Sequence, residues 1–148
     1  MGFFSNLKNA VTGGAADVQV QCQAVQRGTP AMVQIFAQAK AAGNVNGVYL
    51  LVRAVERCEV KDRDWEGGQS HTETIRGHRV SWEHRIGVCG AFQMQEGQQM
   101  QWQAQLHLPH DVGPSLQGHM ISHTWELQAG LDMTGNDPDS GWVTIQVY

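Results

Sequence analysis

Between Met100 and Leu108 the chain alternates strictly between apolar and polar residues. The apolar positions are Met100, Trp102, Ala104, Leu106 and Leu108. Glutamine or histidine occupies every position between them. Because successive side chains of a strand point to opposite faces, this pattern predicts a strand with one face packed and the other in water. Pro109 ends the strand, and a second alternation over residues 116–131 predicts another long strand.

Strand patterns recur along the rest of the chain. The predicted strands cover residues 17–24, 31–41, 48–60, 80–95 and 142–148, with a weaker strand or loop at 71–79. Residues 31–41 also have the composition of a helix, but the turns and strands on both sides favour a strand. Residues 61–68 are predicted to be a charged loop that ends in two glycines. About seven or eight strands between turns indicate a β-sandwich rather than a βαβ fold.

The first residues predict a short amphipathic helix. Apolar residues at helical spacing precede two glycines, and they are Phe3, Phe4, Leu7, Ala10 and Val11. A helix this short is marginal in isolation, so its apolar stripe is expected to dock on the sandwich, on a neighbouring copy or, less readily, on a membrane. The predicted fold class is all-β: an antiparallel, immunoglobulin-like β-sandwich of two sheets, preceded by this helix. Residues 1–14 form the helix and linker, and residues 15–148 form a single sandwich domain.

The composition limits the classes of function. The chain has 148 residues, of which 16% are charged, and its net charge is −4. Nucleic-acid-binding proteins carry a basic stripe, so nucleic acid is not expected as a partner. Cys22, Cys58 and Cys89 lie far apart in apolar strand runs, which predicts small core residues in a reducing compartment. No signal peptide or apolar run of about 20 residues is present, so the expected location is the cytoplasm.

One loop carries enough oxygen ligands to suggest a metal. Residues 132–141 contain Asp132, Asp137 and Asp139 together with glycine, which makes this loop a weak calcium candidate. The EF-hand spacing is absent, and the same residue types form ordinary turns, so the alternative is a hairpin loop without an ion. His119 and His123 are predicted on one strand about 13 Å apart, which is too far for the two alone to share a metal.

No sequence motif indicates an enzyme. The chain has no G-x-S-x-G elbow, no P-loop and no H-E-x-x-H, so neither catalytic residues nor a cofactor are predicted. Four of the five tryptophans fall in predicted strands, where core packing explains them. Trp65 falls in the charged loop and is a candidate interaction anchor, unless it folds back on the sandwich. The alternative function is a carbohydrate-binding or other small-ligand-binding module, in which exposed indoles stack on sugar rings.

The order of these elements resembles the arrestin-like superfamily, and most of all its bacterial sporulation-control proteins. The resemblance rests on the opening Met-Gly-Phe-Phe-Ser-Asn-Leu-Lys and on residues 13–16, 27–30, 46–49, 96–98, 108–115, 124–132 and 143–147. It implies a sandwich that serves as a non-enzymatic adaptor or regulatory scaffold in bacterial development or stress. Members of the family usually carry two such sandwiches in tandem, and this sequence corresponds to the first.

We expect the chain to self-associate. A fold of two sandwiches reduced to one leaves a surface that its relatives cover internally. The last predicted strand contains Ile145 and ends at Tyr148, and it has no lysine or proline that would prevent pairing along its edge. Edge strands without such residues tend to pair with another chain. We therefore expect a homodimer or a larger homo-oligomer, with contacts through this strand or through the stripe of Phe3, Phe4 and Leu7. The sequence does not identify any other protein partner.

Overall fold

The computed structural model describes residues 14–148, which form nine strands in two sheets. The strands are β1 (Ala16–Cys22), β2 (Ala31–Ala39), β3 (Gly43–Glu66), β4 (Gln69–Cys89), β5 (Phe92–Met94), β6 (Gln99–Leu106), β7 (Leu116–Gln117), β8 (Ile121–Met133) and β9 (Val143–Ile145). The first sheet has the order β1-β2-β6. The second has the order β4-β3-β8-β7, with β5 paired to β3 and β9 paired to β8. These pairs are all antiparallel, which confirms the predicted all-β fold of two antiparallel sheets.

The core lies between the two sheets and follows the alternation in the sequence. Val33 and Ile35 of β2 are fully buried, as are Trp125 and Leu127 of β8. The glutamines of the opposite phase in β1, β2 and β6 are exposed or half-buried. Burying one large apolar side chain stabilises a fold by about 1.5–3 kcal/mol. Because a slip of one residue would expose this whole set, the burial pattern fixes the register of the sheets.

The predicted fold class is wrong in its helical part. Residues 14–148 contain strands, turns and connecting segments but no helix, so within them the fold is a β-sandwich alone. The expected helix falls on residues 1–14, of which residues 1–13 lie outside the described residues. Gly14 itself is in a turn with φ of 86°. No helix long and apolar enough to cross a membrane occurs in this part of the chain.

The expected charged loop at residues 61–68 is also wrong. Strand β3 continues to Glu66, and β4 begins at Gln69, so the two strands form one long hairpin. Its turn consists of Gly67 and Gly68, with φ of 61° and 82°. A two-residue turn of this kind needs positive φ at both central positions, which glycine adopts without strain. The charged residues of this segment belong to a strand that has water on both faces, and not to a loop.

The predicted strand over residues 116–131 is two strands. A tight turn over residues 118–120 separates β7 from β8, and the Gly118 N–H donates to the Ile121 carbonyl at 2.7 Å. The alternation of polarity alone does not distinguish one long strand from two strands joined by a short turn. Gly118 was the sequence signal for that turn, and the prediction missed it.

The prediction that all three cysteines are core residues is wrong for two of them. Cys58 and Cys89 are exposed, and Cys22 is half-buried. Cys58 lies on the face of β3 that continues the core, at the last residue of β3 that pairs with β8. Burial raises the pKa of the Cys22 thiol, because the charged thiolate is disfavoured away from water.

Candidate functional site

A long two-stranded ribbon projects from the sandwich. It consists of residues 56–66 of β3 and residues 69–79 of β4, which pair without a register shift from Glu56↔Arg79 to Glu66↔Gln69. Strand β8 accompanies β3 only as far as the Cys58↔Ile121 pair. Beyond that pair the ribbon has two strands, and residues 57–76 are all exposed. Two-stranded hairpins are marginally stable by themselves, so contacts between the two strands must help to hold the ribbon.

The ribbon has two faces that the register defines. Strand β3 pairs with β8 in unbroken register from Gly47 to Cys58, so its even-numbered residues continue the side on which Ala54 is buried. This inner face consists of Glu56, Cys58, Val60, Asp62, Asp64, Glu66, Gln69, His71, Glu73, Ile75, Gly77 and Arg79. The outer face consists of Arg57, Glu59, Lys61, Arg63, Trp65, Ser70, Thr72, Thr74, Arg76 and His78.

Two ion pairs cross the ribbon between directly opposed residues. Arg79 Nε donates to Glu56 Oε2 at 2.7 Å on the inner face, and Arg76 Nε donates to Glu59 Oε2 at 2.8 Å on the outer face. These hydrogen bonds hold the pKa of both carboxyls below the ordinary value. Both pairs are well exposed, so screening by water leaves each of them only a small contribution to stability.

An open groove of about 860 Å³ lies at the base of the ribbon. We call it the base groove. Trp82 and Trp125 lie on its sheet side, and residues 111–114 form the opposite wall. Exposed apolar side chains extend it, since Leu116 is 51% exposed and Ile121 is 53% exposed. The groove therefore joins the core to the inner face of the ribbon through a largely apolar surface.

A chain of hydrogen bonds crosses the base groove. A register shift between Ala54 and Val55 leaves Ser81 as the extra residue of a β-bulge in β4. Ser81 Oγ lies 3.0 Å from His123 Nε2, and His123 Nδ1 lies 2.7 Å from the Pro114 carbonyl oxygen. A carbonyl can only accept, so Nδ1 carries the proton in the neutral ring and Nε2 accepts from the Ser81 hydroxyl. The bonds tie the bulge to the loop before β7.

The residues of this hydrogen-bond network form part of the arrangement that activates a nucleophile. A serine, an imidazole and an acceptor that orients the imidazole are the parts of such a site. Ser81 Oγ, however, also lies 3.3 Å from the Ala54 carbonyl, which competes for the hydroxyl proton. Acyl transfer further needs donors for an oxyanion. The two arginines that line the groove already bind carboxylates, since Arg79 pairs with Glu56 and Arg57 with Glu126.

The outer side of the second sheet carries a cluster around Tyr49. The phenol donates to Asp137 Oδ2 at 3.4 Å, and the Arg85 guanidinium stacks on the ring at 4.1 Å from its centroid. Burial raises the pKa of Tyr49 to about 12, and the charges of Asp137 and Asp139 add to the effect. Both carboxylates also accept backbone N–H bonds, from Met133 and Gly141 respectively.

The calcium candidate is built as a hydrogen-bonded loop. The Asp137 carboxylate is shared between Tyr49 and the Met133 N–H, and Asp139 stabilises the turn at Gly141. Within residues 14–148 no group of three or more histidine, cysteine, aspartate or glutamate side chains is arranged to hold a metal ion. These hydrogen bonds are those expected for the alternative prediction, a hairpin loop whose own carboxylates stabilise its turns.

The candidate interaction residues fall in different places. Trp65 lies at the tip of the ribbon and is 75% exposed. Ile145 is 5% exposed and packs in the core, whereas the Tyr148 side chain is exposed. Phe3, Phe4 and Leu7 lie outside the described residues. The structure does not bring Trp65, Ile145 and Tyr148 together into one site.

The end of the chain has hydrogen bonds on both sides. The Tyr148 N–H donates to the Val25 carbonyl at 2.9 Å, and the Val25 N–H donates to the Gln146 carbonyl at 2.8 Å. On the other side, the Ser115 N–H donates to the Val147 carbonyl at 2.8 Å. Because these bonds occupy the backbone of residues 146–148, the long edge of the second sheet that has no neighbouring strand within residues 14–148 is β4 rather than the last strand.

The tryptophans do not line one exposed face. Trp125 is buried, and Trp102 packs against Phe92 with ring centroids 5.9 Å apart. Trp142 lies beneath the Arg53 guanidinium, 3.7 Å from its ring centroid. An aromatic platform for sugars needs several exposed rings side by side, so the geometry gives the carbohydrate-binding alternative no support.

Sequence reasoning missed both the ribbon and the base groove. Residues 61–64 alternate in charge sign, with Lys61 and Arg63 on one phase and Asp62 and Asp64 on the other. Alternation of sign with a period of two is a strand signal of the same kind as alternation of polarity. The groove left no comparable signal, because Ser81, Pro114 and His123 are distant in sequence and meet only through the β-bulge and the loop before β7.

Comparison with known proteins identifies the fold. No protein family matches the sequence, and no curated protein matches it either. The crystal structure of Spo0M, a sporulation control protein from Bacillus subtilis, is similar with a TM-score of 0.63 and 21% sequence identity. The match covers 91% of this chain and 50% of that one, so the chain spans about half the length of Spo0M. At this identity the likeness shows a Spo0M-like fold.

A second structural match is too weak to indicate a shared fold. It is a β-glucosidase from Listeria innocua in complex with gluconolactone, with a TM-score of 0.33 and 8% identity. The match covers 89% of this chain and 16% of that one.

Proposed function

We propose that this protein is a non-enzymatic binding or scaffold protein that acts through protein–protein contacts, including contacts between its own copies. The proposal places it in the cytoplasm, in the regulation of bacterial development or stress, and in the arrestin-like superfamily. The Spo0M-like fold supports the regulatory class, because Spo0M is named a sporulation control protein. The observation that carries the proposal is the exposed apolar surface where the ribbon meets the base groove.

That surface is accessible, and Cys58 connects its two parts, because it neighbours Val60 on the inner face, pairs with Ile121 and lines the base groove. Val60 and Ile75 lie directly opposite each other on the inner face of the ribbon and are 43% and 53% exposed. Leu116 and Ile121 continue the apolar surface into the base groove and are exposed to a similar degree. Contiguous exposed apolar surface with a polar rim is typical of a site that binds another protein. The ribbon supplies the rim, since charged residues flank Val60 and Ile75 on both strands.

The chemistry of the base groove favours a peptide segment over a reactive substrate. Its walls are mainly apolar, its arginines pair with glutamates, and Ser81 and His123 are engaged with backbone carbonyls. A segment with an apolar anchor would displace water from Ile121 and Leu116 without requiring a free charge. The base groove is therefore the proposed docking site for a protein partner.

A matched pair of variants tests the proposal. Ile121→Asp places a charge in the base groove, and Met32→Asp places the same charge on the first sheet at a residue of similar exposure, 52% against 53%. Proteins from the native cell that bind the wild-type chain should be lost with Ile121→Asp and retained with Met32→Asp. Equal retention by both variants would contradict docking at the base groove, and equal loss would point to another surface.

A further inference from the structure

The two faces of the ribbon carry opposite charge. The inner face has five carboxylates and one guanidinium, a net charge of −4; the carboxylates are those of Glu56, Asp62, Asp64, Glu66 and Glu73. The outer face has four cations and one carboxylate, a net charge of +3; the cations are those of Arg57, Lys61, Arg63 and Arg76. The separation is sharp because the charge sign alternates along β3 in phase with the alternation of its faces.

Among the described residues, most carboxylates of the acidic inner face have no cationic partner. Asp62 lies directly opposite Glu73, and like charges in directly opposed positions destabilise a strand pair. In residues 14–148 neither carboxylate takes part in an ion pair, and the same holds for Asp64 and Glu66. A cationic surface laid over this face would relieve the repulsion between Asp62 and Glu73.

We propose that the acidic inner face of one copy binds the basic outer face of a second copy. This inference rests on the proposed function in so far as that function includes self-association. The chain itself supplies the complementary surface, on a ribbon of the same length and strand spacing and with a net charge of opposite sign. The contact also covers Val60 and Ile75, which are exposed on a single copy.

The arrangement of the sheets determines how two copies meet. At the base of the ribbon the first sheet and residues 111–114 already occupy the inner side. A second ribbon therefore fits only with its direction reversed, so that the two sandwiches lie at opposite ends. Stacked sheets are about 10 Å apart, which lets the charged side chains interdigitate. Because the joined faces differ, each copy keeps one free face of each sign and the assembly is open rather than a closed dimer.

Each ion pair of the proposed contact is weak, and the contact as a whole is sensitive to salt. Each exposed ion pair contributes little by itself, so several must act together. The screening length falls from about 10 Å at 0.1 M salt to about 3 Å at 1 M, which removes most of the attraction between the two faces. Association is therefore expected at low ionic strength and lost at high ionic strength.

A charge-swap experiment on the full chain tests the contact. The inner-reversed variant carries Asp62→Lys and Asp64→Lys, which change the net charge of its inner face from −4 to 0, so that this face no longer attracts the basic outer face. The outer-reversed variant carries Lys61→Glu and Arg63→Glu, so both its faces are acidic. All four positions are exposed, and circular dichroism checks that each variant keeps its strands. Light scattering then gives the mass of the wild type, of each variant and of their equimolar mixture.

The expected result is a loss followed by a rescue. At low salt the wild type has a mass well above 16.3 kDa that rises with concentration, and added salt returns it to 16.3 kDa. Each variant alone stays at the mass of one chain, and the mixture associates again. The Cys58 thiol, on the inner face, becomes slower to alkylate in the wild-type assembly, while Cys89 keeps the same alkylation rate.

Three outcomes would overturn the inference, and they differ in their consequences. Association of both variants to the wild-type extent would refute the contact and leave self-association through another surface. A mixture that stays at the mass of one chain, when the wild type associates, would refute the complementarity of the two faces. A wild type that stays at 16.3 kDa at every salt concentration would refute both this contact and the self-association part of the proposed function. Partner binding at the base groove is measured independently of all three.

Discussion

Tyr49 packs its ring over Gly130, its partner on the neighbouring strand β8. A Cβ at position 130 would overlap the phenol of Tyr49. On the other side of Tyr49 the partner is Gly87 of β4, and a Cβ there would meet nothing within 4 Å. The two glycines flank the same tyrosine, yet only Gly130 is required by the position of its ring.

The first prediction uses this pair of glycines. Gly130→Ala should destabilise the protein by about 1–3 kcal/mol, because the added methyl group forces the tyrosine ring out of its place. Gly87→Ala should be nearly neutral or slightly stabilising, since alanine restricts the unfolded chain. Urea unfolding of the two variants measures the difference. Equal effects would show that the ring does not hold its position over Gly130.

The second prediction concerns alkaline pH. The pKa of Tyr49 is raised from 10.0 to about 12, mainly by burial and then by Asp137 and Asp139. The folded state therefore holds the phenol proton more tightly than the unfolded chain. The resulting stability is complete below pH 10 and is lost as the pH rises from about 10 to about 12.

Two variants check the cause of that shift. Tyr49→Phe should remove this part of the alkaline loss of stability. Asp137→Asn should lower the pKa of Tyr49 toward its ordinary value, measured by phenolate absorbance, because it removes a negative charge and a carboxylate acceptor. Asp132→Asn, which changes a carboxylate of the same loop without a contribution to the shift, is the control. An unchanged Tyr49 titration in Asp137→Asn would contradict the assignment.

The third prediction separates a structural from a catalytic role of Ser81. Ser81→Ala should lower the free energy of unfolding by about 0.5–1.5 kcal/mol, because it removes the hydrogen bond to His123. Ser70→Ala, at the exposed tip of the ribbon, is the control and should be nearly neutral. A fluorophosphonate probe should leave Ser81 unlabelled. Labelling that disappears in Ser81→Ala would contradict the non-enzymatic proposal.

The fourth prediction ranks the reactivity of the cysteines. The thiolate is the reactive form, and burial raises the pKa of Cys22, so Cys22 should react more slowly with iodoacetamide than Cys58 and Cys89, which are both exposed. The comparison is made at high salt, where the proposed assembly is dissociated. Mass spectrometry of the labelled peptides measures the three rates. A Cys22 rate equal to that of Cys89 would show that β1 does not shield it.

The sandwich could be predicted from the sequence because burial repeats every second residue. The alternation from Met100 to Leu108 predicted β6, and its apolar residues Ala104, Leu106 and Leu108 are buried. The choice of a strand over a helix at residues 31–41 is confirmed by β2. In both cases one face of the strand packs on the core, so polarity reports the structure directly.

The ribbon could not be recognised in the same way because both its faces lie in water. Without a buried face, residues 61–66 lack an apolar phase, and their charges were interpreted as a loop. The base groove was missed for a different reason. Ser81 and His123 meet through a β-bulge, which depends on the local pairing of β4 with β3 and leaves no regular pattern in the sequence.

The central claim is that this protein works through contacts at the ribbon and the base groove, and hydrogen exchange tests it most directly. Amide exchange is measured at low and at high salt, with the dilute protein as reference. Exchange should slow at low salt across residues 56–79, and addition of a captured partner should slow it at residues 111–123. Slower exchange confined to β1, β2 and β6, with an unchanged ribbon and groove, would contradict the claim.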